Sequence, residues 1–252
     1  MIDAHAHLEQ QAYNEDREEV IKKCKEELKA VVISSAHPKN FDFSVKLVRH
    51  HPKFLFLTAG LHPIYVPEIS RDQEEDFMDK VRKNNDKIYG IGECGLDYKV
   101  ANGKREREQQ LEAFKRQIQL AEELHLPLVI HARRAFKEAV ELLVNLEKER
   151  VLMHFFSAED LIERVIEKGW YITTNTTLLW SREMQKIAKK APLERILLET
   201  DSPWLGGSER NTPLSIKKVA RKLSKIKNRD FEEVWNRCGR NAVEFFNLPL
   251  SL

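Results

Sequence analysis

The chain opens with Met1-Ile2-Asp3-Ala4-His5-Ala6-His7-Leu8, an apolar run that carries two histidines two positions apart. Successive side chains of a β-strand point to opposite faces, so His5 and His7 would share one face, with Asp3 below them. Two imidazoles on one face can hold a divalent metal ion, which needs further ligands from elsewhere. This strand therefore predicts half of a metal site, and the remaining chain must supply the other half.

Short apolar runs recur along the chain, most of them rich in β-branched or aromatic residues and followed by Gly, Pro or polar residues. They give eight strand candidates: 2–7, 30–34, 54–59, 88–93, 127–131, 151–154, 170–174 and 195–200. Amphipathic segments lie between them, the clearest at about 105–124, where apolar residues recur at spacings of three and four. The other predicted helices are near 15–29, 39–51, 70–86, 133–148, 158–168, 179–190, 213–226 and 230–246, the last with Asp230 as N-cap candidate.

Eight strands, each followed by a helix, are typical of a (β/α)8 TIM barrel, which takes roughly 250 residues. A doubly wound open sheet also alternates strands and helices. The first strand is not followed by a Gly-rich dinucleotide loop, however, and this favours the closed barrel. Because no Gly/Ser/Pro-rich linker divides the sequence, we expect one barrel domain over residues 1–252.

The composition favours a soluble protein of a reducing compartment. A hydrophobic fraction of 42% is enough for a core, and the apolar runs are shorter than the roughly 20 residues that span a membrane. The N-terminus lacks the features of a secretory signal. Cys24, Cys94 and Cys238 are odd in number and widely spaced, which does not suit a disulfide framework. We therefore expect a cytoplasmic location.

Charge is nearly balanced, at 42 basic and 40 acidic residues, and indicates little about partners. One stretch, 210–229, is an exception, since it carries eight cations and no acid. We interpret it as a solvated helix face, with a phosphate-steering patch as the alternative.

Barrel enzymes place their sites at the C-terminal ends of the strands. Besides the first strand, five other strands are predicted to end in or near a ligand-type residue: His62, Glu93, His131, His154 and Asp201. Each of these residues alone would usually be an ordinary core, surface or capping residue. Five of the nine histidines at one rim, together with two carboxylates, predict a metal site.

Without His62, which neither ion needs, six ligands remain; these are too many for one tetrahedral ion and suit two ions about 3.5–4 Å apart, which share a bridging ligand. Glu93 is the predicted bridge, because a carboxylate has two oxygens. The other five ligands divide between a first ion, held by His5, His7 and Asp201, and a second ion, held by His131 and His154. These donors suit Mg, Mn, Zn, Ni or Fe without choosing among them. With Asp201 as general base and Glu93 as the second catalytic group, the sequence predicts metal-assisted hydrolysis.

The motifs resemble those of the TatD-type metal-dependent deoxyribonucleases, a branch of the amidohydrolase-like barrel enzymes. The resemblance covers residues 2–213 in seven segments: Asp3-Ala4-His5-Ala6-His7, Gly60-Leu61-His62-Pro63, Gly92-Glu93-Cys94-Gly95-Leu96-Asp97-Tyr98, Pro127-Leu128-Val129-Ile130-His131-Ala132-Arg133, His154-Phe155-Phe156-Ser157, Glu199-Thr200-Asp201-Ser202-Pro203-Trp204 and Arg210-Asn211-Thr212-Pro213. It implies a two-metal hydrolase that cleaves phosphodiester bonds of DNA, often as a 3′→5′ exonuclease. RNA and nucleotide fragments are further candidate substrates, and no obligate protein partner is implied.

The resemblance implies the same six metal ligands and adds His62 and Arg133 as contacts to the substrate phosphate. Arginine suits this role because its charged fork matches phosphate oxygens, although Arg133 could instead cap the following helix. The chain departs from the family pattern at Ala158, where Gly is common, and at 175–180. Loops determine substrate choice in barrels, so these departures leave the substrate open.

Two other function classes remain as alternatives: a hydrolase of a carbonyl substrate, such as a lactone or D-aminoacyl-tRNA ester, and a non-catalytic binding barrel. Many carbonyl-cleaving relatives bridge their metals with a carboxylated lysine on strand 4, whereas this chain has Glu93 there. Two nearby residues, Glu199 and Trp204, each have two possible roles, and a third, Cys94, has a structural one. Glu199 orients a histidine or is purely structural, Trp204 stacks on a nucleobase or packs the last loop, and Cys94 packs in the core.

Overall fold

The computed structural model describes residues 1–251, in which eight strands alternate with helices. The strands are β1 Ile2–Ala6, β2 Ala30–Ser35, β3 Leu55–Ala59, β4 Ile88–Asp97, β5 Leu128–Arg133, β6 Val151–Met153, β7 Tyr171–Thr174 and β8 Ile196–Leu198. The helices are α1 Arg17–Glu27, α2 Pro38–His50, α3 Arg71–Lys83, α4 Lys104–Glu123, α5 Phe136–Asn145, α6 Ile162–Glu167, α7 Arg182–Lys190, α8 Ile216–Lys227 and α9 Phe231–Phe246. Every predicted strand and helix overlaps an observed one.

The strands form one parallel sheet in chain order, β1 to β8. The sheet curls back on itself where the chain leaves β8. There the amide of Asp201 donates to the carbonyl of His5 at 2.9 Å, and the amide of His7 donates to the carbonyl of Ser202 at 2.7 Å. This nearly closed barrel with its surrounding helices confirms the (β/α)8 prediction.

Asp3 contributes to this closure. Its buried carboxylate accepts hydrogen bonds from the amide of Thr200 at 3.0 Å and from the Thr200 hydroxyl at 2.5 Å. The pairing of β1 with β2 also shifts register between Asp3 and Ala6. Asp3 therefore joins the first strand to the chain beyond the last one, and its carboxylate also accepts a hydrogen bond from the backbone amide of His5 at 3.3 Å.

Helix α9 packs against the ends of the strands opposite to the histidines. Its Phe245 and Phe246 belong to a buried cluster with strand residues such as Ile2, and the side-chain amide of Asn241 donates to the carbonyls of Leu193 and Ile196, both at 2.8 Å. Asp230 stands at the N-cap position of α9 as predicted. Its side chain makes no capping hydrogen bond among the described residues.

The basic stretch 210–229 lies on and beside α8, and many of its cations have partners. Arg210 forms a two-pronged ion pair with Asp16, and Lys217 lies 2.8 Å from a carboxylate oxygen of Glu27. Lys227 donates to a backbone carbonyl at 3.0 Å. These contacts favour the solvated-face interpretation. Within residues 1–251, no helix combines the length and apolar composition that a membrane crossing requires.

Helix α4 holds the loop after β3 through a buried glutamine. Gln117, only 2% exposed, accepts a hydrogen bond from the amide of Leu61 at 2.7 Å and donates one to the carbonyl of the same residue at 3.1 Å. Leu61 immediately precedes His62. Both backbone groups next to His62 are thus fixed by one side chain of the helix.

A second buried glutamine, Gln110, lies two turns earlier on the same face of α4. It accepts from the amide of Asp97 at 2.9 Å and donates to the carbonyl of Pro63 at 3.1 Å. The two glutamines therefore hold the residues on either side of His62, and one of them also holds the end of β4.

We predict that replacing Gln117 with Leu lowers the free energy of unfolding by about 1–3 kcal/mol, because the buried N–H and C=O of Leu61 lose their partner. Urea unfolding, followed by circular dichroism, measures the loss. Gln119→Leu is the matched control, since Gln119 is exposed two residues further along the same helix and should change stability by no more than about 0.5 kcal/mol. Equal unfolding midpoints for the two variants would show that the glutamine contacts contribute nothing.

Candidate metal centre

Glu93 lies at the centre of the predicted ligand cluster, and its first carboxylate oxygen faces the N-terminal strand. Oε2 of Glu93 is 3.2 Å from Nε2 of His5 and 3.8 Å from Nε2 of His7. Asp201 approaches the same pair, with Oδ1 at 3.4 Å from Nε2 of His7 and 3.9 Å from Nε2 of His5. The structure thus brings these four residues to one place.

The second carboxylate oxygen of Glu93 faces the other side of the barrel. Oε1 is 2.7 Å from Nδ1 of His131, 3.2 Å from Nε2 of His62 and 3.5 Å from Nε2 of His154. The two halves meet where the rings of His5 and His154 stack at 4.0 Å between centroids. One carboxylate therefore contacts two separate groups of imidazoles.

Three overlapping groups of side chains have ligand atoms that all lie within 4.8 Å of one another, as metal ligands do. They are His5, His7 and Glu93; His5, His154 and Glu199; and His62, Glu93 and His131. The cluster is therefore able to bind metal. These three groups differ from the predicted ligand set, because they include His62 and Glu199 and do not include Asp201.

Outer partners fix the orientation of two of the imidazoles. Nδ1 of His7 lies 2.9 Å from the carbonyl of Ser34, and Nδ1 of His154 lies 2.8 Å from Oε2 of Glu199. The other oxygen of Glu199 accepts a hydrogen bond from the side-chain amide of Asn175 at 3.1 Å. In both histidines Nε2 is left facing Glu93, which is the arrangement that metal-binding imidazoles have. Of the two interpretations of Glu199, the contact with His154 supports the orienting one.

His131 is held between two carboxylates. Its Nδ1 faces Glu93, and its Nε2 lies 3.2 Å from Oδ2 of Asp97. Asp97 reaches this position because β4 continues four residues beyond its predicted end. Gly95 permits this, since a Cβ there would lie 2.1 Å from the carbonyl oxygen of His131, and its φ of 138° is one that other residues rarely adopt.

The electrostatics of the cluster favour ionised carboxylates. Burial alone would raise the pKa of Glu93, but the surrounding imidazoles hold it well below its usual range. Burial would likewise raise the pKa of Asp201, but its contact with His7 lowers it. Burial lowers the pKa of His62 to about 4, so its imidazole is neutral at neutral pH. Burial opposes protonation of His154 too, but the negative charges of Glu199 and Glu93 raise its pKa to about 10.

The cluster opens into a cavity of about 570 Å3 at the C-terminal ends of the strands. Arg133, the last residue of β5, is exposed and lines this cavity beside Arg134. Because α5 starts only at Phe136, with Ala135 in its N-cap position, Arg133 does not cap that helix. Trp204 also lines the cavity and is half exposed, whereas Cys94 is fully buried, as its packing role requires.

Several residues of the site were not singled out by the sequence. Asp97, Ser34 and Asn175 act on the histidines or their partners from outside the ligand set. Asp97 belongs to the same motif as Glu93, the predicted bridging residue. A second carboxylate four residues after Glu93 was the signal that could have identified it. For Ser34 the contact is a backbone carbonyl, which any residue could supply, so no side-chain pattern could have revealed it.

Comparison with known proteins agrees with this geometry. A family model described as TatD related DNase matches residues 2–247. A metal-dependent hydrolase of Methanocaldococcus jannaschii is 32% identical over 99% of this chain and 98% of its own length. Human deoxyribonuclease TATDN3 is 30% identical over 98% of this chain and 94% of its own length. The 3′-5′ ssDNA/RNA exonuclease TatD of Erwinia tasmaniensis is 28% identical over 98% of this chain and 100% of its own length.

Solved structures show the same fold. YjjV of Escherichia coli, a TatD homologue, has a TM-score of 0.90 at 24% identity and covers 99% of this chain, with 98% of its own chain covered. A TatD-family hydrolase of Entamoeba histolytica has a TM-score of 0.88 at 23% identity, with 97% of both chains covered. The family model spans nearly the whole sequence, and two curated relatives reach 30% identity over almost their full length. The chain therefore belongs to the TatD-related DNase family of metal-dependent hydrolases.

Proposed function

We propose that this hydrolase uses two divalent ions to cleave phosphodiester bonds of DNA, as a 3′→5′ exonuclease of the cytoplasm. The observation that carries the proposal is the position of Glu93, whose two carboxylate oxygens contact different groups of imidazoles. A carboxylate with this placement fits the bridging ligand of a two-ion site. Imidazole and carboxylate donors suit Mg, Mn or Zn.

In this proposal Glu93 would be shared, and the histidines divide by the oxygen of Glu93 that each contacts. His5 and His7, with Asp201 beside them, would hold the first ion, and His131 and His154 would hold the second. Divalent ions bound there would supply positive charge that polarises a phosphodiester and lowers the pKa of a nearby water. His62 is close enough to Oε1 of Glu93 to serve either as a further ligand or as a phosphate contact.

The remaining chemistry belongs to the protein side chains. Asp201 is the general base that accepts the proton of the attacking water, which fits its ionised state and its place on the cavity wall. Arg133 binds the phosphate with its charged fork, and His62, neutral at neutral pH, donates a hydrogen bond to it. As the water oxygen bonds to phosphorus, the bond from phosphorus to the leaving oxygen breaks, and that oxygen takes up a proton from solvent in the open cavity.

Nucleic acid is the proposed substrate for two reasons. The names of the human and Erwinia tasmaniensis relatives describe a deoxyribonuclease and an exonuclease for single-stranded DNA and RNA. The cavity also combines exposed arginines with a half-exposed tryptophan, and such groups bind phosphates and bases. RNA is thus the alternative nucleic-acid substrate.

The test uses metal-loaded protein and single-stranded DNA labelled at its 5′ end. We expect a ladder of products shortened stepwise from the 3′ end, and no cleavage by Glu93→Ala at matched concentration. Parallel reactions contain 3′-labelled DNA, RNA, a lactone and an aminoacyl-tRNA ester. Cleavage of the esters without cleavage of DNA would refute the proposal, and shortening from the 5′ end would refute the assigned polarity.

We predict that Asp201→Asn lowers the turnover number on DNA by about 100- to 10,000-fold, because an amide cannot accept the proton of the attacking water. Circular dichroism should show an unchanged fold, and metal analysis reports whether an ion is lost as well. Asp76→Asn, an exposed change on α3, is the charge-matched control and should leave turnover unchanged. Full activity of Asp201→Asn would exclude it as the general base.

We predict that Glu199→Gln weakens metal binding by about 10- to 100-fold, because the carboxylate no longer orients and polarises His154. Competition with a chromophoric chelator measures the dissociation constant without any need for catalysis. Glu163→Gln, at an exposed position of α6, is the control. If both variants bind metal as tightly as the parent protein, Glu199 has only a structural role.

A further inference from the structure

Trp204 combines an exposed ring with a fixed backbone. Its side chain is 49% exposed, although its amide donates to the carbonyl of Asp201 at 2.9 Å. The residues on either side are held as well. The carbonyl of Pro203 accepts from the amide of Asn211 at 3.1 Å, and that of Leu205 accepts from the hydroxyl of Thr176 at 2.8 Å. The loop therefore presents a large aromatic surface in one place without burying it.

The ring of Trp204 lies next to the cluster of candidate metal ligands. Its centroid lies 6.3 Å from that of His7, with an angle of 39° between the planes. Ile64 and Tyr65, which follow β3, line the same cavity. In the order of the sheet, the loops after β8, β1, β2 and β3 form one half of the rim, and those after β4 to β7 form the other.

The two halves of the rim differ in chemistry. Trp204, Ile64 and Tyr65 give the first half an aromatic and apolar wall, whereas the second half carries both arginines of the cavity lining, Arg133 and Arg134, beside the partly buried rings of Phe136 and Phe155. Arg134 also has a φ of 56°, in the left-handed region, and its side chain is exposed. A ligand with a flat apolar group on one side and an anionic group on the other suits the two halves.

A nucleotide has this division. We propose that the half of the cavity beside Trp204 is a nucleobase subsite, in which the base adjacent to the scissile phosphate stacks on the Trp204 ring, while Arg133 and Arg134 take the phosphates of the strand. The inference rests on the proposed function and deepens it. Stacking on an aromatic face is tolerant of base identity, so this subsite favours nucleotides in general over other phosphate esters.

Trp180 provides a matched comparison. It follows β7, on the loop next to that of Trp204, and is 58% exposed. It is not among the residues that line the cavity. Loss of an exposed tryptophan at this rim should therefore affect the binding of a nucleotide at one position and not at the other.

Calorimetry on the metal-loaded protein tests the subsite without catalysis. Thymidine 5′-phosphate and methyl phosphate carry the same anionic group, and only the first carries a base. We expect the wild-type protein to bind thymidine 5′-phosphate about 5- to 150-fold more tightly. Trp204→Ala should abolish most of that preference, Trp204→Phe should retain part of it, and Trp180→Ala should retain all of it. Equal binding of the two ligands by the wild-type protein, or an unchanged preference in Trp204→Ala, would overturn the proposal.

Cleavage assays separate this proposal from the proposed function. Thymidine 5′-(p-nitrophenyl) phosphate and methyl p-nitrophenyl phosphate release the same chromophore. If Trp204→Ala loses kcat/KM only on the thymidine ester, both proposals hold. If it loses equally on both esters, the hydrolase assignment stands and the subsite is wrong. The wild-type protein could instead cleave neither the esters nor DNA and still bind thymidine 5′-phosphate more tightly than methyl phosphate. The subsite would then stand, and the proposed phosphodiesterase activity would be wrong.

Discussion

The buried carboxylate of Glu93 is the constraint on which the rest of the site depends. It is 3% exposed and ionised, and an uncompensated charge at such depth costs several kcal/mol. The histidines around it supply that compensation, but most of these imidazoles are themselves buried and need a partner for the second nitrogen. A chain of polar contacts therefore extends outward from Glu93. Glu93 contacts His154, His154 contacts Glu199, and Glu199 accepts a hydrogen bond from the side-chain amide of Asn175. A polar network of this kind has one arrangement in which every member is satisfied, and this fixes the geometry at the centre.

The barrel makes such a network possible because parallel strands deliver their ends to a single rim. The strands alone do not fix the loops that follow them, however, and the outer helices do this by hydrogen bonding. Gln110 and Gln117 of α4 hold the backbone on either side of His62 by hydrogen bonds from outside the sheet. At the opposite end Asn241 of α9 plays a comparable part for β8 with no functional group nearby. In both places a buried side-chain amide of a helix holds backbone groups of the barrel. Near His62 this fixes the candidate site, and at the opposite end it contributes only to stability.

Most of the fold could be predicted from the sequence, and so could the convergence of the candidate ligands at one rim, because the strands of a barrel end at the same face. His131 and Asp201 could be placed at one rim from strand order alone, without knowledge of any distance. Asp97 could not be placed in this way, because it reaches His131 only through the continuation of β4 that Gly95 allows. Gln117 was missed for another reason. The apolar period of α4 describes the packing face correctly, and a buried glutamine on that face looks like an interruption until its partner at Leu61 is known.

The segment 175–180, which departs from the family pattern, shows how one loop can serve two requirements. Its first residue, Asn175, is fully buried and bonded to Glu199, so its identity is tied to the orientation of His154. Its last residue, Trp180, is exposed and outside the cavity, so nothing in the metal cluster constrains it. Between them, Thr176 links this loop to that of Trp204 through the carbonyl of Leu205. A change elsewhere in the segment can therefore alter the rim of the cavity, and even the position of Trp204, while the buried amide of Asn175 keeps Glu199 and His154 in place beside Glu93.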